Sequence, residues 1–298
     1  MKTGPRIFLV VGPTASGKTE FAQKLAVEQG GEILNADSQQ FYRGLDIGTG
    51  KCPPSERQVL HWLLDLCEPG QFMTAGNFAR IADETISVLG SRGTQPFVVG
   101  GTGLYVRALL EGLDELPERN SEIRQKLEAE CQDEGSSALH RRLQEIDPAS
   151  AAKIHPNDPS RLIRFLEIFL LTGKPPSQIL QRGRPTQLRY PVTSFWLRPP
   201  REELRGKIEK RVRAMVAQGW LEETRASLNL AGGPEAWPNQ PIGYLELSQV
   251  LSGQLPLEEA IQKIVRKTQQ YAKRQETFWR GLFQHPAYQN DGNELKIV

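Results

Sequence analysis

The chain has few cysteines and no long apolar run, and both shortages exclude whole classes of protein. Its 298 residues include three cysteines, Cys52, Cys67 and Cys131, without CxxC or Cys/His spacing, so neither a disulfide framework nor a zinc site is predicted. No stretch approaches the roughly 20 apolar residues of a membrane span, and residues 1–5 lack a secretory-signal core. We therefore expect a cytoplasmic protein with no membrane partner.

Net charge is small overall but unevenly distributed along the chain. Residues 1–150 hold 15 Lys and Arg against 21 Asp and Glu, whereas residues 151–298 hold 22 against 14. Much of the basic excess lies between residues 182 and 213. Such a block suits a polyanion such as RNA. It equally suits a solvated helix whose cations pair with Glu202, Glu203 and Glu209, and composition leaves both interpretations open.

A glycine-rich loop follows the first apolar run of the sequence. Residues 7–11 read IFLVV and residues 12–19 read GPTASGKT, the order of strand, loop and helix start that is typical of a P-loop. Glycines let backbone N–H groups turn inward around an anion, Lys18 adds a positive charge, and Thr19 supplies a hydroxyl for Mg²⁺. The predicted phosphate-binding residues are Gly12, Pro13, Thr14, Ala15, Ser16, Gly17, Lys18 and Thr19.

Strands and helices alternate in the first part of the chain, and helices follow one another after about residue 117. Strands are predicted at 7–11, 32–36, 63–66, 96–99 and 193–197, and helices at 20–29, 77–89, 121–134, 137–146, 148–154, 159–172, 201–218 and 257–279. This pattern predicts an α/β fold: a P-loop NTPase-like parallel sheet flanked by helices, with an inserted all-helical domain. We expect the core to comprise residues 1–116 and 186–298, and the insertion to comprise residues 117–185.

Polar residues follow three of the predicted strands, at the edge where parallel sheets bind ligands. Residues 12–19, 37–40 and 100–103 should therefore line one crevice, with Asp37 across from the bound phosphates. Asp37 could serve as a proton acceptor or merely cap the next helix. After the strand at 96–99 stand Gly100 and Gly101, where a P-loop NTPase usually has an acidic metal ligand. This absence weakens the case for nucleotide hydrolysis and favours close approach by a bulky group.

Several longer runs resemble one known family. Residues 35–51, NADSQQFYRGLDIGTGK, closely resemble the tRNA dimethylallyltransferase family, also called tRNA isopentenyltransferase, as do VVGGTGLY at 98–105 and KIHPNDPSR at 153–161. Shorter matches lie at 208–211, 242–244 and 272–275, so the resemblance is collinear from residue 7 to about residue 280. No Cys/His finger of the eukaryotic kind follows, which favours the bacterial type.

The resemblance implies a prenyl transfer that uses no ATP. The dimethylallyl group of dimethylallyl diphosphate would move to N6 of adenosine-37 in tRNAs that read codons beginning with U, giving N6-(dimethylallyl)adenosine. By matching position, Asp37 would be the general base, and Arg211 would bind the diphosphate together with the loop at 12–19. Thr19 would hold the Mg²⁺ cofactor. Asp37, Thr19 and Arg211 are therefore the expected catalytic residues.

The same resemblance implies a tRNA-binding surface on both parts of the chain. The partner would be the anticodon stem-loop, and a monomer is expected. The implied contacts are Asp37, Ser38, Gln39, Gln40, Thr102, Arg124, Ser160, Arg161 and Arg164. Arg161 and Arg164 could instead form surface ion pairs with Glu167. Two other functions remain open on the residues alone, a P-loop kinase of a small metabolite and a P-loop RNA-binding protein without catalysis.

Overall fold

One parallel sheet forms the centre of the computed structural model, which describes residues 4–114, 116–180, 183–290 and 292–298. Its strands are β1 (Ile7–Val11), β2 (Gly31–Asn35), β3 (His61–Trp62), β4 (Gln95–Gly100), β5 (Val192–Trp196) and β6 (Glu294–Ile297). Their order across the sheet is β3-β2-β4-β1-β5-β6, with every neighbouring pair parallel. The last residue of β1, Val11, is in register with Gly100 and with Trp196. The predicted P-loop-like α/β fold is confirmed, and the carboxyl ends of the central strands lie side by side.

The strands differ from the predicted ones in two places. The strand predicted at 63–66 is wrong, because β3 comprises only His61–Trp62 and the chain then turns. Leu63 and Asp65 have φ values of 61° and 57°, a left-handed conformation that an extended strand does not contain. The strand β6 was not predicted; its four residues are exposed and lie at the sheet edge, so they show little apolar patterning.

Helices flank the sheet and also form a separate unit. They are α1 (Lys18–Glu28), α2 (Ala75–Ser91), α3 (Gly103–Glu111), α4 (Ser121–Glu134), α5 (Ser136–Ile146), α6 (Pro148–Ala151), α7 (Pro159–Thr172), α8 (Pro176–Ile179), α9 (Arg201–Ala217), α10 (Trp220–Ser227), α11 (Tyr244–Leu251) and α12 (Leu257–Phe283). Several begin at a side-chain cap: Thr74, Asn120 and Asp158 each accept a hydrogen bond from the backbone N–H three residues later. In the described part of the chain, none is both long and apolar enough to cross a membrane.

The chain divides into two compact units, each with its own apolar core. One comprises Met1–Gly112 and Thr186–Val298, and the other Leu113–Pro185, so the helical unit starts four residues before the predicted residue 117. In the sheet unit, β1 buries Val10 against the α1 side and Leu9 against the opposite side. The helical unit has a separate core, which includes Leu127, Leu139, Leu143, Leu162 and Leu166.

Candidate active site

The loop at 12–19 has the backbone conformation that an anion-binding turn requires. Gly12 has φ of 153°, and a Cβ there would lie 2.4 Å from the carbonyl oxygen of Leu197. Gly17 takes a left-handed conformation (φ 88°) immediately before α1. Ser16 is buried, and its Oγ has no hydrogen-bond partner within the described residues. A buried donor without a partner is unusual, so this loop is suited to a ligand that supplies acceptor oxygens.

Lys18 lies over the same loop. Its Nζ donates a 2.7 Å hydrogen bond to the carbonyl oxygen of Pro13, which folds the side chain back across the turn. Burial lowers the pKa of Lys18 from 10.5 to about 8; the Asp37 carboxylate opposes this shift, and the Arg211 guanidinium adds to it. Lys18 is thus a partly desolvated cation, and a bound anion would favour its charged form.

A glutamine on α12 joins the phosphate loop to the end of β4. Gln275 is buried, accepts a 2.8 Å hydrogen bond from the N–H of Thr14, and donates one of 3.0 Å to the carbonyl oxygen of Gly101. A Cβ on Gly101 would lie 2.1 Å from Gln275 Nε2 and 3.7 Å from Asp37 Oδ2. A Cβ on Gly100 would lie 2.3 Å from the backbone of Ala36. The sequence predicts that a bulky group approaches Gly100 and Gly101 closely. In the structure, atoms of Ala36 and Gln275 make that approach.

Asp37 follows β2, and its carboxylate is oriented by the local backbone. Its N–H donates to Asn35 Oδ1 (3.0 Å), and its Oδ1 accepts from the N–H of Gln39 (3.0 Å). Asp37 therefore lies in a tight turn rather than at a helix start. The Asp37 charge acts on Lys18 and on Arg211, yet neither cation forms an ion pair with Asp37 within 4.0 Å in the described structure. Because neither cation is paired with Asp37, both Lys18 and Arg211 remain available to a ligand.

Arg211 reaches this site from α9. Burial lowers the pKa of its guanidinium, and the Asp37 charge opposes that shift. Its Nη2 lies where a side chain on Gly50 would begin, since a Cβ there would be 1.9 Å away. Gly50 has φ of 66°, which also favours glycine. Because residue 50 has no side chain, the Arg211 guanidinium can occupy this position.

Two cavities meet at Asp37 and Arg211. The larger, about 1240 Å³, is lined by the phosphate loop, including Lys18 and Thr19. The smaller, about 270 Å³, is lined by Tyr271 and Arg274 of α12 and by apolar residues of α9. The residues that line both cavities are Thr14, Asp37, Thr49, Arg211 and Met215. A diphosphate in the first cavity and a planar ring in the second would therefore both face Asp37.

The remaining residues predicted to contact RNA in the sheet unit are already hydrogen-bonded. The Ser38 N–H donates to Thr102 Oγ1 (2.9 Å), and that hydroxyl lies 3.2 Å from Ser38 Oγ. Gln40 donates from Nε2 to the carbonyl oxygens of Thr49 and Gly50, so its amide NH₂ holds the cavity wall. Gln39 has a buried Oε1 with no partner in the described residues. It lines the smaller cavity and is the side chain here with a spare acceptor.

In the helical unit, the arginines predicted to contact RNA differ in how closely they pair with carboxylates of the protein. Arg164 Nη1 lies 2.7 Å from the buried carboxylate of Glu167, and Arg124 lies 3.5 Å from it. Ser160 and Arg161 lie exposed in the first turn of α7, and Arg161 forms only a 3.4 Å pair with Asp158. Direct binding of RNA phosphates by Arg124 or Arg164 would compete with Glu167, whereas Arg161 could bind without that cost.

The basic block of residues 182–213 is neutralised along much of α9. Arg205 pairs with Glu202, Lys207 with Glu203, and Arg213 with both Glu209 and Glu258. These pairs match the solvated-helix interpretation. Arg211, on the cavity side of the helix, is outside this network.

Two further side chains, which the sequence does not predict there, lie at the site. Tyr271 lines the smaller cavity; burial, with the Asp37 charge, raises the pKa of its hydroxyl above the usual 10. Gln275 holds the phosphate loop, as described above. The run at 272–275 resembles the family, but the sequence does not indicate which of its side chains faces the site.

Fold and site together define a P-loop-like α/β protein whose phosphate loop faces a carboxylate rather than an acidic metal site. Comparison with known proteins agrees with this class. The IPP transferase family matches residues 40–282, and the isopentenyl transferase family matches residues 5–66. The chain belongs to the IPP transferase family.

Individual relatives cover nearly the whole chain. The tRNA dimethylallyltransferase of Anaeromyxobacter dehalogenans (strain 2CP-C) is 52% identical over 272 residues, 91% of this chain and 90% of the relative. That of Geobacter sulfurreducens is 42% identical over 276 residues, 92% and 89% of the two chains.

Solved structures give the same family. The tRNA isopentenylpyrophosphate transferase of Bacillus halodurans has a TM-score of 0.66 at 35% identity and covers 98% of this chain and 89% of its own. A eukaryotic dimethylallyltransferase acting on tRNA has a TM-score of 0.80 at 29% identity and covers 98% and 74%.

Proposed function

We propose that this chain transfers the dimethylallyl group of dimethylallyl diphosphate to N6 of adenosine-37 in tRNAs that read codons beginning with U. The products are diphosphate and N6-(dimethylallyl)adenosine. The relatives named tRNA dimethylallyltransferase support this function. The observation that carries the mechanism is that Asp37 and Arg211 line both cavities, so one carboxylate and one cation face the acceptor and the donor together.

Asp37 would take the proton that the acceptor loses. As N6 bonds to C1 of the allyl group, the C1–O bond breaks and its electron pair leaves with the diphosphate. The exocyclic nitrogen becomes cationic and acidic, so an ordinary carboxylate within reach can accept its proton. The hydrogen bond from the Gln39 N–H fixes Oδ1, while the other oxygen faces Gly101. The adenosine must leave its stack to reach this point, which costs a few kcal/mol and least in an unpaired loop.

The phosphate loop, Lys18 and Arg211 would stabilise the leaving group. Negative charge grows on the diphosphate as the C1–O bond breaks, and donors that are already oriented stabilise that charge without reorganisation. Lys18 is hydrogen-bonded to Pro13 and Arg211 lies against Gly50, so both side chains already line the cavity before the substrate binds. Burial strengthens their interaction with an anion.

The residues around Thr19 fit a Mg²⁺ ion that is held mainly by its substrate. The described residues contain no group of three or more His, Cys, Asp or Glu side chains that could hold a metal by themselves. Mg²⁺ commonly keeps several waters and binds substrate phosphate oxygens, with few protein ligands. Thr19, with Ser16 nearby in the loop, would contribute hydroxyl oxygens, and the ion would neutralise charge on the departing diphosphate.

A transfer assay with unmodified tRNA tests the proposal. The protein, Mg²⁺, radiolabelled dimethylallyl diphosphate and a tRNA bearing A36-A37-A38 are incubated without ATP, and label is measured in the RNA. We expect label in N6-(dimethylallyl)adenosine after nuclease digestion, and none with the same tRNA carrying G37. Consumption of ATP in a parallel incubation that contains ATP but no dimethylallyl diphosphate, without RNA labelling in the main assay, would favour a small-metabolite kinase. Salt-sensitive RNA binding without product would favour a non-catalytic binding protein.

A further inference from the structure

A carboxylate outside the two cavities holds the turn that forms their common wall. Glu223, on α10, accepts hydrogen bonds from three consecutive backbone N–H groups, those of Asp46 (2.7 Å), Ile47 (2.8 Å) and Gly48 (3.0 Å). Its Oε1 also accepts one from the Tyr244 hydroxyl at 2.5 Å. Charged acceptors make the stronger hydrogen bonds of proteins, so this one side chain fixes the turn at 46–48.

The other side of the same segment faces Arg211. Thr49 lines both cavities, and Gly50 is the residue against which Arg211 Nη2 lies. The N–H of Gly50 donates to the carbonyl oxygen of Ile47 at 2.9 Å, which links the wall directly to the turn that Glu223 holds. A shift of that turn would move Gly50 and displace the guanidinium that rests on it.

The remaining partner of Glu223 connects the turn to the smaller cavity. Tyr244 is fully buried, and burial together with the Glu223 charge raises its pKa well above 10, so the hydroxyl stays a donor. It follows the segment 240–242, which lines the smaller cavity. The Glu223 carboxylate therefore links two parts of the site: the segment beside Tyr244, which lines the smaller cavity, and the turn next to Gly50, against which Arg211 lies.

We propose that Glu223 is a positioning residue: by holding the turn at 46–48, it fixes Gly50 and thereby the orientation of Arg211 toward the leaving diphosphate. The inference rests on the proposed function for the identity of the leaving group. Glu223 itself touches neither reacting atom. Its effect must therefore act through Arg211 and disappear when Arg211 is absent.

A double-mutant cycle between Glu223 and Arg211 measures that dependence. Glu223→Gln keeps the size of the side chain but replaces one acceptor oxygen with an NH₂ that faces backbone donors. We expect kcat/KM for dimethylallyl diphosphate to fall roughly tenfold in the natural background and less than about twofold in an Arg211→Ala background. Equal losses in both backgrounds would overturn the inference, since a general loss of folding does not depend on Arg211.

Two further variants keep the test decisive. Glu222→Gln removes the same charge from the exposed neighbouring residue, and it should leave kcat/KM unchanged in both backgrounds. If Glu223→Gln does not fold, Tyr244→Phe removes one of the four hydrogen bonds. It should lower kcat/KM about threefold only where Arg211 is present, and an equal loss without Arg211 would overturn the inference.

Binding of inorganic diphosphate, measured by calorimetry on the same variants, separates this inference from the proposed function. Coupling between Glu223 and Arg211 in diphosphate affinity would support the positioning role even for a protein that labels no RNA. Additive losses of affinity in a protein that does transfer the dimethylallyl group would overturn the positioning role alone.

Discussion

Two carboxylates of this chain, Asp37 and Glu167, each lie near two cations, but only one of them forms salt bridges. In the helical unit, Glu167 is fully buried and contacts Arg164, Arg124 and the N–H of Asn120. In the sheet unit, Asp37 contacts backbone and lies near Lys18 and Arg211, without an ion pair to either in the described structure. The first arrangement leaves little for a ligand, whereas the second leaves a carboxylate and two cations available.

The difference follows from what holds each group in place. Asp37 is fixed by the Gln39 N–H and Lys18 by the carbonyl oxygen of Pro13, and Arg211 lies against Gly50, so each of these contacts is with a neutral group. Glu167 accepts a hydrogen bond from the Asn120 N–H but also forms ion pairs with both arginines, so its charge and theirs offset one another. Preoriented charges that do not cancel one another are what differential stabilisation of a transition state requires.

The largest effect is expected from Asp37→Ala. Loss of the general base should slow the chemical step by roughly two to four orders of magnitude while tRNA still binds. Single-turnover labelling of RNA at saturating substrates measures the step, and filter binding measures the tRNA. Asp37→Asn, which keeps an acceptor for the Gln39 N–H, should be as slow. Turnover close to the natural rate in either variant would remove Asp37 from the mechanism.

Arg211→Ala should have the next largest effect, on the diphosphate side. Removing one oriented donor to developing negative charge costs roughly 10²–10³ in rate, so use of dimethylallyl diphosphate should fall more than tRNA affinity. Arg213→Ala is the matched control, because Arg213 lies two residues away on α9 and pairs at the surface with Glu209 and Glu258. It should leave turnover unchanged. A fall in tRNA affinity alone for Arg211→Ala would make Arg211 a nucleic-acid contact.

Glu167→Ala should act on stability rather than on the chemical step. It would leave Arg124 and Arg164 without their buried partner, and removing one member of such a set costs about 3 kcal/mol of unfolding free energy. Denaturant unfolding measures the loss. Glu128→Ala, which removes a half-exposed partner of Arg124 at 3.6 Å, should cost less than about 1 kcal/mol. Equal costs for the two variants would mean that Glu167 is not a structural centre.

Much of the fold could be predicted because its elements carry local signals. Buried parallel strands read as continuous apolar runs, and α4 and α7 begin at Asn120 and Asp158 caps and end at Gly135 and Gly173, so their predicted bounds match the structure. The helix α3 was not predicted. It begins at Gly103, in a glycine-rich run, and residue 103 is glycine because Phe278 occupies the space of a side chain there. That reason lies 175 residues away in the sequence and leaves no local pattern.

For the site, sequence could locate the residues but not their partners. The rule for parallel sheets predicts that the loop at 12–19 and Asp37 line one crevice, and in the structure they line one cavity, at the ends of β1 and β2 with β4 between these strands. Arg211 came only from the resemblance. Glu223 and Gln275 act through hydrogen bonds to backbone groups of distant segments, and such bonds do not require any particular residue at the partner position. Sequence patterns therefore could not indicate them.

The pH dependence of diphosphate binding gives the smallest predicted effect. It tests whether the Lys18 charge is available to bind a ligand anion. With its pKa near 8, Lys18 of the free protein should lose its proton above pH 8, and affinity for inorganic diphosphate should fall about tenfold by pH 9 relative to a Lys18→Arg variant, a comparison that cancels the deprotonation of diphosphate itself. The effect of Lys18 on folding stability cannot cause this loss. Between pH 8 and 10.5 the unfolded chain binds the extra proton, so the Lys18 contribution to stability rises with pH. Tyr271, with its raised pKa, stays protonated in this range. Calorimetry from pH 7 to 9.5 measures both affinities, and Lys18→Arg should lack this loss, because a guanidinium keeps its charge. The same slope in Lys18→Arg would mean that another group titrates.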